Sequence, residues 1–294
     1  MMQIIENSQF QAAIDEHGSQ LTHLINKAGN FDYIWNNDLW PKHAPILFPA
    51  IGRSNDDAYL IDGKKYEMPQ HGFAADYDFE VTAKQADAVT LSLHSSEATK
   101  NNYPFDFELT VTFTLTDKGL NVSFTVKNDS DGDLSYSLGY HPAFNVPIAN
   151  EGAFDDYQVD LEPAQASLDT YEIVKKPNPY RSGKLEKLPN YSNGIVELDH
   201  EMFAKGLLII KNTGIKTVKL YSRATKHAVT VDVADFDHVT LWTKEGANAP
   251  FLCIEPFNGL PDVYGDLVEL KSKEDNQHLD AKDSKSYQIN IALQ

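Results

Sequence analysis

"FDFELTVTFTLTDKGLNVSFTV", residues 105–126, carries the clearest periodic pattern in the chain. Apolar side chains occupy every second position from Phe105 to Leu115, and polar side chains fill the positions between them. A period of two predicts a strand with one buried face and one face in water. Turn-forming residues follow at 116–119, and the alternation resumes at Leu120. The segment is therefore predicted to be an antiparallel hairpin.

Several shorter apolar stretches have the length and composition of β-strands. They are residues 89–93, 134–138, 207–210, 229–233, 239–242, 251–255 and 289–293. Helical patterns are short and few, and Gly, Asn, Asp and Pro residues connect the predicted strands. These features predict an all-β fold, a sandwich of mainly antiparallel strands with few short helices.

Two polar stretches interrupt this pattern. Residues 174–194 are rich in Pro, Lys and Asn, and we interpret them as a long surface loop or hairpin rather than a linker between domains. Residues 271–286 are expected to be a solvated excursion before the final strand. We therefore expect residues 1–294 to form a single β-sandwich domain.

Charge and hydropathy exclude several classes of partner. The 294-residue chain has a formal net charge of −18 and a pI near 4.8, so its field repels nucleic acid and anionic lipid surfaces. The N-terminus lacks the cationic start and apolar core of a secretion signal, and no apolar run is long enough to cross a membrane. We expect a cytoplasmic protein without nucleic-acid or membrane partners.

The chain has one cysteine, Cys253, which cannot form an intrachain disulfide. This usage is typical of a reducing compartment. Cys253 stands in the apolar run 251–254, so a buried and inert thiol is expected there.

Four short segments combine a rigid backbone with ionisable side chains at predicted strand ends. They are "PILFPAIGR" ending at Arg53, "MPQHGF" around His71, "GYHPAF" around His141 and "CIEPFNG" around Glu255. His141 and Glu255 both precede proline, which restricts the direction in which each side chain leaves the backbone. Arg53 has an ordinary alternative as the ion-pair partner of a nearby acid, Asp56 or Asp57.

Common motifs for other chemistries are missing from the sequence. There is no G-x-S-x-G elbow, phosphate-binding P-loop, dinucleotide fingerprint or H-E-x-x-H zinc motif. A single H-x-D stands at 278–280 inside the polar stretch, where a sheltered metal site is not expected. The remaining histidine and carboxylate residues suit proton transfer without a metal or cofactor.

The four segments, read as "PILFPAIGR", "MPQHGF", "GYHPAFNVP" and "CIEPFNGLPD", follow one another between residues 45 and 262. In this order they resemble the aldose 1-epimerase (galactose mutarotase) superfamily, and within it the LacX-like galactose mutarotase-related proteins. The resemblance implies a β-supersandwich over roughly the whole chain and an open cleft for a pyranose sugar. It also implies interconversion of α and β anomers without a metal or cofactor.

The same resemblance implies roles for particular residues. Glu255 matches the base that takes the proton of the anomeric hydroxyl, and His141 matches the acid that protonates the ring oxygen. His71 and Arg53 match residues that bind the substrate.

Asn145 and Phe257 are further substrate-binding candidates because they neighbour these motifs. Asn145 would either contact a sugar hydroxyl or hold a loop. Phe257 would either stack on a sugar face or pack in the core, and the same choice applies to Trp242 and Tyr140.

Departures from the family pattern leave the substrate open. Ala75 and Gly206 stand where relatives commonly carry arginine and aspartate, and the missing guanidinium weakens a sugar-phosphate interpretation. Lys64, Lys65 and Lys205 could still supply positive charge to a hexose 6-phosphate.

Two further alternatives are a non-catalytic sugar-binding protein and a glycosidase. A glycosidase needs a second carboxylate, for which Asp262 is nearest in sequence. The expected partner is a small-molecule aldose, and the oligomeric state is left open between a monomer and a homodimer.

Overall fold

Antiparallel strands make up about half of the computed structural model, which describes residues 1–211 and 214–294. The strands of the first half are β1 Met2–Glu6, β2 Phe10–Asp15, β3 Gln20–Asn26, β4 Phe31–Asp32, β5 Ile46–Leu47, β6 Ala58–Ile61, β7 Lys64–Glu67, β8 Glu80–Lys84, β9 Ala88–His94, β10 Phe107–Thr116, β11 Gly119–Asn128, β12 Leu134–Tyr136 and β13 Leu138–Tyr140.

The second half continues the pattern. Its strands are β14 Ala143–Asn145, β15 Tyr157–Glu162, β16 Asp169–Val174, β17 Tyr180–Lys187, β18 Tyr191–Ser192, β19 Ile195–Glu197, β20 Leu208–Lys211, β21 Thr217–Ser222, β22 Ala228–Asp232, β23 His238–Trp242, β24 Phe251–Asn258, β25 Gln277–Leu279 and β26 Ser284–Leu293. Helices are short: α1 spans Glu97–Lys100, and 3₁₀ turns span Asn55–Asp57, Ala74–Asp76, Ile148–Asn150, Phe154–Asp156, Glu201–Phe203 and Leu270–Ser272.

Two large sheets organise the strands. The ten-stranded sheet has the order β18-β19-β15-β21-β22-β26-β11-β10-β9-β8, and the eight-stranded sheet has the order β17-β16-β20-β23-β24-β13-β5, with β14 also paired to β24. Three smaller sheets complete the fold. One contains β1, β2, β3 and β4 in that order, and the other two pair β12 with β25 and β6 with β7. One core cluster contains apolar side chains of both large sheets, among them Val111 and Ile254. The predicted all-β fold with few short helices is confirmed.

The central hairpin follows its sequence pattern. Strands β10 and β11 pair from Phe107 opposite Asn128 to Thr116 opposite Gly119. The alternate residues of β10, such as Val111 and Phe113, are fully buried, while the intervening residues are partly exposed or exposed. Burial of each such side chain contributes roughly 1.5–3 kcal/mol, so the alternation fixes which face of the sheet turns to the core.

The two polar stretches have different outcomes. Residues 174–194 contain the turn and second strand of the hairpin that β16 forms with β17, which agrees with the hairpin interpretation, and Arg181 in β17 is buried. Most of residues 271–286 are exposed, as predicted, but the segment also contains β25, which pairs with β12 and buries Leu279. The sequence does not predict this strand because only three of its residues pair and only one of them, Leu279, is apolar. The final strand also begins earlier than predicted, at Ser284.

Strand β24 lies in the middle of its sheet, between β23 and β13. Side chains two residues apart on a strand share a face, which places Cys253 and Glu255 on the same side of β24. His141 lies between β13 and β14, and both strands pair with β24: Gly139 pairs with Phe257, and Ala143 pairs with Cys253. His141 is therefore held beside β24. A side chain at position 139 would not fit, because a Cβ atom would lie 2.8 Å from the Phe257 ring.

Among the described residues, no helix is both long enough and apolar enough to cross a lipid bilayer.

Candidate active site

His141 and Glu255 face each other in the wall of a cavity of about 630 Å³. Their Nε2 and Oε2 atoms are 3.3 Å apart. Both residues are buried, with exposed fractions of 7% and 2%. The backbone N–H of His141 donates to the carbonyl of Pro45, which holds the loop after β13 against the chain leading into β5. Two neighbouring strands thus bring a proton donor and a proton acceptor into contact.

Burial acts on both members of this pair in the direction of the neutral form. It raises the pKa of the Glu255 carboxyl well above its usual value. It also lowers the pKa of the His141 imidazole well below its usual value, with further lowering by His71 and Lys42. Burial therefore favours the form in which the carboxyl group keeps its proton and the imidazole is neutral, so the pair holds one exchangeable proton.

Aromatic rings enclose the imidazole of His141. The indole of Trp40 stacks on it, with centroids 5.1 Å apart and planes inclined by 28°. The Trp242 indole packs edge to face against the imidazole at a centroid distance of 5.7 Å. The ring of Phe251 stacks on the Trp40 indole at a centroid distance of 5.6 Å. The Nδ1 atom of His141 has no hydrogen-bond partner in the described part of the chain. The ring is held by packing and by Glu255.

The backbone of His71 has a left-handed conformation with φ of 67°. Its N–H donates to the carbonyl of Gly52, and the N–H of Gly52 donates back to Nδ1 at 3.1 Å. Because Nδ1 accepts, the ring proton resides on Nε2, whose neighbour is the side-chain amide of Gln70 at 3.3 Å. A donor at Nε2 requires this amide to present its oxygen. Burial, together with the charges of Lys42 and Arg53, lowers the pKa of His71 to about 3. His71 is therefore a neutral hydrogen-bond donor at physiological pH.

Gly72 fixes the position of this histidine. Its φ is 75°, and a Cβ atom there would lie 2.2 Å from the carbonyl oxygen of Phe48. Only glycine permits this approach between the two chain segments. The ring centroid of His71 lies 5.8 Å from that of His141.

The outer part of the cavity is charged. Lys175 donates to the carbonyl of Ala204 and pairs with Glu245 at 3.4 Å. Trp242 donates its indole N–H to the same carboxylate at 3.3 Å. Lys42 also lines the cavity and forms no ion pair with an acid among the described residues.

Comparison with known proteins agrees with this fold. The family model for aldose 1-epimerase matches residues 1–278. The chain belongs to this family. It is 27% identical over 301 residues to the plasmid-encoded protein LacX of Lactococcus lactis subsp. lactis, covering 98% of both chains.

Two solved structures are similar over the whole of this aldose 1-epimerase family member. A galactose mutarotase-like protein from Lactobacillus casei ATCC 334 is 42% identical, with a TM-score of 0.95 and 100% of both chains covered. A galactose mutarotase related enzyme from Lactobacillus acidophilus is 28% identical, with a TM-score of 0.92, covering 100% of this chain and 97% of the other. These findings confirm the family resemblance and the fold that it implied.

The structure brings three of the predicted site residues of this family member together: Glu255, His141 and His71 all line the cavity. Arg53 does not line it, because its Nη1 atom pairs with Asp57 at 2.7 Å. That contact is the ordinary alternative considered for this arginine. Its charge still acts on the imidazole of His71.

Asn145 and Phe257 also lie away from the cavity. The amide of Asn145 donates to the carbonyls of Asp32 and Ile34, so it holds the chain around β4. The ring of Phe257 is fully buried beside Leu47. Their positions agree with the loop-holding and core-packing alternatives.

Sequence reasoning missed several residues that line the cavity. They include Trp40, Lys42, Gln70, Lys175 and Glu245. None stands in a periodic segment, and only Gln70 is part of a matching motif. The cavity lining also includes the two departures from the family pattern, Ala75 and Gly206. Lys205, a candidate source of positive charge, lines it as well.

The site also brings together three side chains of types that can bind a metal ion. The ligand atoms of His141, Cys253 and Glu255 all lie within 4.8 Å of one another, and all three residues are buried. Burial raises the pKa of the Cys253 thiol well above its usual value, so the free thiol is protonated, as expected for an inert cysteine.

Proposed function

We propose that this protein interconverts the α and β anomers of a hexopyranose, with Glu255 as base and His141 as acid. The observation that carries the proposal is the 3.3 Å contact between Nε2 of His141 and Oε2 of Glu255 in the wall of the cavity. The anomeric hydroxyl and the ring oxygen of a pyranose are bonded to the same carbon. Two adjacent groups can therefore reach both oxygens of one sugar.

Ring opening moves two protons and one bond. Glu255 takes the proton of the anomeric hydroxyl, and the freed electron pair forms the carbonyl of the aldehyde. The bond between C1 and the ring oxygen breaks, and His141 protonates that oxygen. Rotation about the C1–C2 bond presents the other carbonyl face, and closure reverses both transfers.

The shared proton makes the cycle balanced. Opening begins once the shared proton has moved from the carboxyl of Glu255 to the imidazole of His141, and it ends with a carboxylic acid and a neutral imidazole. Both states have the same net charge, and burial favours the second. The free energy that burial adds when the ion pair forms is therefore released as the sugar ring opens. Each positioned acid or base typically contributes about 10²- to 10⁴-fold to the rate.

Other cavity residues would orient the sugar. The Nε2–H of His71 is the donor best placed to bind a sugar oxygen beside His141. Trp40 and Trp242 offer aromatic surfaces on which the apolar face of a pyranose can stack.

A hexose 6-phosphate is the second candidate substrate, because Lys42, Lys175 and Lys205 all line the same cavity. Lys175 and Lys205 are already paired with Glu245 and Glu186, which leaves Lys42 as the cation best able to meet a phosphate. Lys64 and Lys65 do not line the cavity.

The glycosidase alternative has little support from the site. Asp262, its candidate second carboxylate, forms a buried ion pair with Lys273 and accepts from the backbone of Asn55. Neither oxygen of Asp262 lines the cavity, so we do not propose a hydrolytic pair.

Polarimetry of freshly dissolved α-D-glucose, α-D-galactose and D-glucose 6-phosphate tests the proposal. The wild type should accelerate relaxation of at least one sugar. Glu255→Gln and His141→Asn should each lose most of this acceleration, whereas Glu80→Gln, which removes an exposed carboxylate outside the cavity, should retain it.

Binding of the sugars without acceleration by the wild type would instead support a carbohydrate-binding protein. If Lys42→Met loses the acceleration for D-glucose 6-phosphate but keeps it for the other sugars, the phosphorylated sugar is identified as a substrate that Lys42 binds.

A further inference from the structure

Cys253 lies beside the catalytic pair but has no place in the proposed proton transfers. It projects from the same face of β24 as Glu255, two residues away. Its sulfur, a carboxylate oxygen of Glu255 and a ring nitrogen of His141 all lie within 4.8 Å of one another. Thiolate, imidazole and carboxylate are the three ligand types that zinc prefers in proteins.

We propose that His141, Cys253 and Glu255 bind a zinc ion, and that the bound ion blocks the acid–base pair. Zinc sites with three protein ligands keep a fourth position for water or a small ligand. Here that position would open into the cavity, because His141 and Glu255 both line it.

The distance between two of the ligands already fits such a site. Zn–N and Zn–O bonds of about 2.0–2.1 Å in a tetrahedron place the two ligand atoms roughly 3.3–3.4 Å apart. The Nε2 and Oε2 atoms of His141 and Glu255 are 3.3 Å apart. A Zn–S bond of about 2.3 Å places sulfur roughly 3.6 Å from a ligating nitrogen. The sulfur of Cys253 lies within 4.8 Å of the other two ligand atoms, so the thiol needs to approach by about 1.2 Å at most.

Charge balance also favours this ion. A thiolate and a carboxylate together neutralise a divalent cation, and the imidazole binds in its neutral form. Neutrality matters because all three side chains are buried, where a net charge is costly. On binding, the thiol proton and the proton shared by His141 and Glu255 pass to solvent.

Hard cations do not suit this set of ligands. Ca²⁺ requires six to eight oxygen ligands, and Mg²⁺ keeps several water molecules in an octahedron. The site should therefore distinguish zinc and cobalt from magnesium.

The binding half of this inference is independent of the proposed epimerase activity, whereas the inhibitory half rests on it. A bound ion would occupy the Nε2 and Oε2 atoms that exchange protons with the sugar. The two halves need separate readouts.

Cobalt titration of the metal-free, full-length protein tests binding directly. The chain has one cysteine, so a sulfur-to-cobalt charge-transfer band can arise only from Cys253. We expect this band together with the strong visible bands of tetrahedral cobalt, and we expect zinc, but not magnesium, to abolish both. Absence of the band from the wild type would overturn the site.

Variants identify the ligands. Cys253→Ala and Cys253→Ser should lose the charge-transfer band and raise the half-saturating metal concentration at least about tenfold. Glu255→Gln should weaken binding as well, which keeps the test decisive if a cysteine variant fails to fold. The matched control, Glu245→Gln, should bind as the wild type does. Wild-type cobalt binding by Cys253→Ala would contradict the assignment.

Mutarotation measured with and without zinc tests the inhibitory half. Zinc should abolish the wild-type acceleration, and Cys253→Ala should need at least about tenfold more zinc for the same effect. Unchanged or faster mutarotation with zinc bound would overturn the inhibition. If the metal-free wild type accelerates no sugar, the proposed function fails, while the cobalt spectrum still decides the metal site.

Discussion

The indole of Trp40 stacks on the imidazole of His141 at a centroid distance of 5.1 Å. The backbone carbonyl of Trp40 accepts from the indole N–H of Trp35, which anchors the stacking residue. An aromatic face attracts a cation, so Trp40 favours the imidazolium form of His141. Burial opposes that form. Trp40 is thus placed to retain part of the acidity that the proposed ring opening requires.

Replacement of Trp40 should slow the chemical step more than it weakens sugar binding. A cation–π contribution of about 0.5–2 kcal/mol corresponds to roughly 2- to 30-fold in rate. We expect Trp40→Leu to lower kcat by this factor and Trp40→Phe to restore most of it. Steady-state polarimetry separates kcat from KM. A rise in KM with unchanged kcat would mean that Trp40 binds sugar and does not tune the imidazole.

His71 should make the folded protein sensitive to acid. Its pKa is about 3 in the folded state, against an ordinary value of 6.5. Between these values the unfolded chain binds more protons, so the free energy of unfolding falls as pH decreases from 6.5 toward 3. Asparagine tolerates the left-handed backbone of this position. His71→Asn should therefore lose less stability than the wild type between pH 7 and pH 4.5 in urea unfolding, and an equal loss would contradict the assignment.

Lys42 should influence the pH dependence of catalysis. Its positive charge lowers the pKa values of both His71 and His141, so Lys42→Met should shift the pH profile of kcat/KM for these imidazoles toward higher pH. The shift should be less than about one pH unit and should shrink in 1 M salt, where screening acts over about 3 Å. An identical profile for variant and wild type at low salt would show that Lys42 does not act on the pair.

We expect burial of the Glu255 carboxylate to lower the free energy of unfolding as pH rises. Because its folded-state pKa is raised, the folded protein binds the extra proton above the ordinary value of 4.5, and the free energy of unfolding falls as pH rises from there. Glutamine has the same shape and no charge to bury. Urea unfolding of Glu255→Gln should give a free energy at least equal to that of the wild type at pH 5 and higher at pH 8. A less stable variant at pH 8 would mean that the carboxylate is well stabilised.

The sequence allowed the central hairpin to be predicted because its alternation spans both strands without interruption. Other strands lack this signal. Strand β2 reads Phe10–Asp15 with consecutive buried residues, and the polar β17 at Tyr180–Lys187 owes its conformation to pairing with β16. Strand propensity depends strongly on neighbouring strands, so such segments cannot be predicted from local composition.

The residues of the candidate site also differ in whether the local sequence predicts them. His71, His141 and Glu255 could be found because proline and glycine mark their strand ends in recognisable motifs. Trp40 and Lys42 lie between β4 and β5 without regular structure, and only tertiary contacts bring them to the cavity. Arg53 and Phe257 stand in the motifs as well, but an acid four residues away and a tightly packed cluster decide their positions.

The central claim is that Glu255 and His141 act as one proton-exchanging pair on a single sugar. Polarimetric kcat/KM for Glu255→Gln, His141→Asn and the double variant tests it most directly. Each single variant should lose about 10²- to 10⁴-fold, and the double variant should lose no more than the worse single variant, because groups that act as a unit are not additive. Near-wild-type activity of either single variant, or losses that multiply in the double variant, would contradict the account.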